Sequence, residues 1–147
     1  AGTEQVAGIV GMAKALRLCM ECYPTAIKHI QQLNIQLCDG LTRIGGKVNG
    51  MNNDKRLCSI LNMRFEDNLQ SQNLLVELDL AGISVGGSVA YTAGFSSEIG
   101  PKILSDDFIN IRFSFSRLNN RGEIFRVLSI IDYQLNGNTI LEQALTT

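Results

Sequence analysis

The sequence has no tryptophan, a single histidine, two prolines, and no cysteine beyond position 58. One histidine, His29, excludes any metal centre built on paired imidazoles, and a serine- or cysteine-based proton relay would have to pass through it. Charged side chains make up 18% of the residues, against ~25% in typical soluble domains. The net charge is −1 and the Lys and Arg residues are scattered. There is thus no basic stripe to neutralise phosphates, and no nucleic-acid partner is expected. No apolar run approaches the roughly 20 residues of a membrane span, so no transmembrane segment is expected either.

What is present is apolar residue, at 45% of a 147-residue chain, which is enough for one core. The expectation is a single α+β domain over 1–147. A helical layer is expected over 1–72, with sheet and a terminal helix over 73–147. A chain this poor in charge is expected to hide apolar surface against a protein partner, a second copy or an apolar ligand.

The four cysteines, Cys19, Cys22, Cys38 and Cys58, are even in number and confined to the first part of the chain. Such usage predicts disulfides and an extracytoplasmic location, periplasmic or secreted. The start at Ala1 fits a secreted protein after signal removal as well as a trimmed chain.

Val6, Ile9, Val10, Ala13, Leu16 and Met20 recur at helical spacing, opposite Glu4, Lys14 and Arg17. Pro24 is expected to end this helix, and Thr25 to cap a second one carrying Ile27, Ile30, Leu33, Leu37 and Leu41. Beyond a glycine-rich connection, Leu57, Leu61, Phe65 and Leu69 predict a third. In that helical arrangement Cys38 and Cys58 flank the connection at similar distances and are expected to bridge. Cys19 and Cys22 are left to pair with each other or stay reduced. Cys19-Met20-Glu21-Cys22 closes a helix, where the dipole raises a thiol pKa, so thiol redox chemistry ranks only third among the functions.

From Leu74 the period changes to two, with Leu74, Val76, Leu78 and Leu80 alternating with Leu75, Glu77 and Asp79, as in a half-buried strand. Gly86-Gly87 is expected to turn a hairpin between Ile83–Val85 and Val89–Phe95. The strongest strand signal has Ile109, Ile111, Phe113 and Phe115 on one face, and Asn110, Arg112, Ser114 and Ser116 on the other. Asn119–Gly122 then predicts a turn into a return strand over Glu123–Leu135 that is apolar on both faces. Ile124, Leu128 and Ile130 form its outer face, expected to meet a partner or apolar ligand. Thr139 and Glu142 have capping-box spacing for a short terminal helix.

The tail from Phe125 to Gln143, an alternating strand followed by Asn-Gly-Asn-Thr-Ile-Leu, resembles the end of bacterial periplasmic phospholipid-shuttle proteins of the toluene-tolerance type. That resemblance implies a carrier of an apolar ligand such as a lipid. The architecture expected is three N-terminal helices on an antiparallel sheet of about four strands, with a short C-terminal helix. The leading functional expectation is a non-catalytic interaction or assembly protein, oligomeric, without a cofactor or metal. The lipid carrier is the alternative.

Overall fold

A computed structural model describes residues 2–50, 56–88 and 108–137. The architecture is α+β, with helices on one face of a four-stranded antiparallel sheet. Helix α1 spans Val6–Arg43, followed by strands β1 (Lys47–Val48) and β2 (Ile60–Glu66). A 3-10 turn at Ser71–Asn73 leads into α2 (Leu74–Leu80). Strands β3 (Gly86–Ser88) and β4 (Phe108–Ser114) and helix α3 (Arg121–Asn136) complete the described elements. The sheet order is β1-β2-β4-β3.

One helix stands where two were expected, because α1 runs through Pro24. An interior proline removes one helical hydrogen bond and costs ~3 kcal/mol. Residues 2–25 are exposed throughout, so water can satisfy the carbonyl that loses its donor. The second half of α1 is tied down by Leu33, Leu37 and Leu41, which are all but fully buried.

The expected third helix is strand β2. Leu57, Leu61, Phe65 and Leu69 fit a helical repeat, but Leu61, Met63 and Phe65 alternate, and it is these three that are buried. Pairing with β4 decides between the two periods, since β4 presents Ile109, Ile111 and Phe113 on the same face. A boundary at residue 72 therefore does not separate helix from sheet. The strand expected from Leu74 is in turn helix α2, burying Leu74 and Leu78 one turn apart. Gly86-Gly87 is not a hairpin turn but part of β3, paired with β4 through Gly86↔Arg112 and Gly87↔Ile111.

The expected return strand is α3. Ile124, Val127 and Ile131 are buried at helical spacing, and the helix begins with a capping box. In that box Asn120 Oδ1 accepts from the Glu123 backbone N–H, and the Asn120 N–H donates to Glu123 Oε2. A left-handed Gly137 ends the helix, as an αL C-cap does. The segment Val89–Asp107 and the capping box expected at Thr139–Glu142 lie outside the described residues. The core is a single cluster between the sheet and α1, α2 and α3. The other face of the sheet carries no helix among the described residues.

Candidate functional site

Alternation along β2 and β4 sends Asn62, Arg64, Asn110 and Arg112 to the face away from the core. Antiparallel register places Asn62 opposite Arg112 and Arg64 opposite Asn110. Three amides interlock at the centre. Asn49 Nδ2 donates to Asn110 Oδ1 at 2.7 Å and approaches Asn62 Oδ1 at 3.2 Å. Asn110 Nδ2 in turn donates to the Phe108 carbonyl at 3.2 Å. Asn110 is only 6% exposed, so its polar atoms need these partners.

Toward β1 the cations are occupied. Lys47 Nζ lies 3.3 Å from Glu66 Oε1 and 5.9 Å from the Phe108 ring centroid. The Arg64 guanidinium carbon sits 5.0 Å from the same centroid. Its buried Nε has no hydrogen-bond partner among the described residues.

Toward β3 the arrangement differs. Arg112 is exposed, and its guanidinium lies across Gly86, where a Cβ would stand 3.1 Å from Nη2 and 3.2 Å from Nε. Glycine leaves the room that this pose uses. Among the described residues no carboxylate pairs with Arg112. An exposed guanidinium held at one edge of an amide cluster is suited to a carboxylate, which it can engage through two parallel N–H···O bonds.

The residues singled out from the sequence lie elsewhere. All four cysteines are free thiols, so the Cys38–Cys58 bridge does not form and Cys19 and Cys22 do not pair. Cys19 and Cys22 are exposed on the continuous first half of α1, and Cys38 and Cys58 are half-buried. With α1 unbroken and β2 in place of the third helix, the geometry that levelled Cys38 with Cys58 is gone. Ile124 belongs to the core, Leu128 packs against α1, and Ile130 faces a hollow beside α2. The outer strand face they were expected to form is thus one side of a helix. The hollow, about 420 Å³, is also lined by Glu77, Ser129 and Tyr133 and is open to solvent, which does not suit a buried lipid. His29 Nε2 lies 2.8 Å from the Asn119 carbonyl, a contact between α1 and the loop before α3. Among the described residues no cluster of His, Cys, Asp and Glu could hold a metal, and no helix is long and apolar enough to cross a membrane.

Comparison with known proteins gives this face a context. The family model for aminotransferase class-V matches residues 1–127. The chain belongs to the aminotransferase class-V family. Within it, the chain is 38% identical over 96 residues to a putative cysteine desulfurase of Bacillus subtilis, covering 64% of the chain and 25% of that relative. A cysteine desulfurase of Gluconacetobacter diazotrophicus is 30% identical over 140 residues, which are 89% of the chain and 34% of the relative. A solved NifS-like protein matches with a TM-score of 0.70 and 27% identity, over 94% of the chain and 35% of that structure. A NifS-like protein from Rickettsia africae shares the fold, with a TM-score of 0.72. This class-V chain spans a quarter to about a third of the length of the curated relatives it matches.

Membership of an enzyme family with desulfurase relatives overturns the expectation of a non-catalytic interaction protein, and the lipid-carrier and thiol-redox readings with it. The extracytoplasmic expectation falls as well. It rested on paired cysteines, which are unpaired here, and the relatives are cysteine desulfurases rather than secreted binding proteins. The resemblance to phospholipid-shuttle proteins rested on an alternating strand that is helix α3.

Sequence reading placed Asn110 and Arg112 on one strand face but attached no role to them. The available signal was an arginine on the polar side of the most regular strand. Its neighbour Gly86 is supplied by a distant strand, which alternation within β4 cannot reveal.

Proposed function

We propose that this chain forms the substrate-carboxylate side of a class-V enzyme acting on an amino acid, with Arg112 as the carboxylate anchor. The observation that carries this reading is the exposed Arg112 guanidinium, without a carboxylate partner among the described residues, laid across Gly86 beside the Asn49–Asn62–Asn110 cluster. A bidentate arginine contact orients a carboxylate as well as attracting it, and so sets the position of the reacting carbon. Cysteine is the first amino acid to test, because the curated relatives are named as cysteine desulfurases.

Enzymes of this family use pyridoxal phosphate, which supplies an electron sink for chemistry next to the amino group. Holding it takes an amine for the imine and an acid facing the ring nitrogen. The open face does not provide this set. Lys47 is engaged by Glu66, and Lys14 and Lys28 are exposed on α1. The described residues therefore do not fit the cofactor, and what they contribute is recognition of the substrate. Removal of sulfur from cysteine also needs an acceptor such as a thiolate. Residues 59–147 contain no cysteine, so the strands of this face do not furnish one. Self-association is compatible with this reading.

The test is absorption spectroscopy on the protein purified from its own cells. The expected result is a visible cofactor band that shifts on adding L-cysteine, with Arg112→Ala keeping the band and losing the shift. A variant that responds like the wild type, or a wild-type protein with no band, overturns the proposal.

A further inference from the structure

One backbone carbonyl sets the orientation of all three amides on the open face. The Phe108 carbonyl can only accept, so the end of Asn110 that lies 3.2 Å from it is the NH2, and the end turned to Asn49 is Oδ1. Asn49 must then present its own NH2. That group donates to Asn110 Oδ1 at 2.7 Å and to Asn62 Oδ1 at 3.2 Å, so Asn62 has its oxygen turned to Asn49 and its NH2 left over. Among the described residues no hydrogen bond takes up the Asn62 NH2.

Asn62 is also the residue directly opposite Arg112 on the neighbouring strand. The Arg112 guanidinium leans the other way, over Gly86 of β3, so the space above β4 has a neutral donor on one side and the guanidinium on the other. Strands β2 and β3 flank β4, and at ~4.8 Å per strand Asn62 and Gly86 stand about 10 Å apart. Two hydrogen bonds of ~2.9 Å, with one carboxylate between them, fit that span. A carboxylate accepts at about four sites and the arginine fork fills two, which leaves an oxygen able to accept from Asn62 as well.

We infer that Asn62 is a second substrate-binding residue, whose NH2 donates to the same carboxylate that Arg112 engages. The inference rests on the proposed function and deepens it. The fork of Arg112 fixes the plane of the carboxylate, and a donor from the opposite strand fixes where along the fork it sits, so that the reacting carbon is held in one place. Asn49 touches no substrate. It is a positioning residue, because its own NH2 keeps the Asn62 oxygen turned inward and the Asn62 NH2 free.

The experiment is calorimetric titration of the protein purified from its own cells with L-cysteine and with cysteamine, which keeps the amine and the thiol but lacks the carboxylate. The ratio of the two affinities reads carboxylate recognition alone. Asn62→Asp keeps an oxygen for Asn49 to donate to and puts a carboxylate where the NH2 was, opposite Arg112, where it competes with the substrate for the guanidinium. It should lower the ratio at least about 100-fold, and Asn62→Leu, which only removes the donor, about tenfold. Asn49→Leu should lower it by less than Asn62→Leu, because the Asn62 amide is then free to turn but still present. An unchanged ratio in Asn62→Asp, or in Asn62→Leu should Asn62→Asp fail to fold, overturns the inference. Arg112→Ala separates the two ideas. If it keeps the preference for L-cysteine, the proposed function fails and takes the inference with it, whereas a preference lost in Arg112→Ala and kept in Asn62→Asp defeats the inference alone.

Discussion

Gly40 of α1 lies against Leu128 of α3 so closely that a Cβ on Gly40 would stand 2.6 Å from both Leu128 Cδ atoms. The two helices approach through the missing side chain. Gly40→Ala should destabilise the protein by about 1–3 kcal/mol through overpacking, although alanine is the better helix former. Leu128→Ala in the same chain should recover part of that loss. A double-mutant cycle by urea unfolding reads the coupling, and purely additive effects would show that the contact is not what limits the approach.

Ser71 ties strand β2 to helix α2. Its buried Oγ donates to the Glu66 carbonyl at 2.7 Å and accepts from the Asn68 N–H at 2.9 Å. Ser71→Ala leaves both backbone groups without that partner and should cost about 1–3 kcal/mol. Thermal unfolding measures it, and a melting temperature equal to the wild type would refute the buried link.

The capping box at the start of α3 gives stability a pH dependence. The Asn119 side chain, and then the Asn120 backbone N–H, hold the Glu123 carboxyl below the usual range. With its folded pKa depressed, this group contributes stability that is present above the ordinary glutamate pKa and is lost as pH falls through the folded value. Glu123→Gln should therefore flatten the acid limb of the stability curve. Asn120→Ala should cost about 1 kcal/mol at neutral pH. Chemical denaturation from neutral to acid pH compares them.

The thiols make a direct check. With all four free, a reducing agent should leave the unfolding midpoint unchanged. Alkylation of the native protein should modify the exposed Cys19 and Cys22 before the half-buried Cys38 and Cys58. A mass lower by two hydrogen atoms per pair under non-reducing conditions would restore the disulfide expectation.

At the candidate site, Arg112→Lys keeps the charge but not the planar fork. It should retain a weakened response to amino acids, whereas Arg112→Ala, with apparent affinity falling roughly 10- to 100-fold, should show none at concentrations that saturate the wild type. Gly86→Val should act in the same direction, because its side chain occupies the space the guanidinium uses. Spectral titration with L-cysteine ranks the three. Equal affinities across them would remove Arg112 from the site.

Strand β4 was legible from residue order, because alternation of Ile109, Ile111 and Phe113 with polar residues admits one period only. The second half of α1 was legible for the same reason, its leucines recurring at helical spacing. Segments that satisfy two periods at once were not. Ile124, Val127, Leu128 and Ile131 fit a helix, while Ile124, Leu128 and Ile130 also fit one face of a strand. The local signal that settles the matter, Asn120 with Glu123 three residues on, was there to be read. For β2 no such local signal exists. Leu61, Met63 and Phe65 become an inward face only when β4 pairs alongside and offers them a shared core. The site belongs to this second kind. A polar strand face with an arginine follows from alternation alone. That the arginine lies over a glycine, next to three locked amides, depends on β1, β2 and β3 meeting β4, and contacts between distant segments leave no periodic trace in the chain.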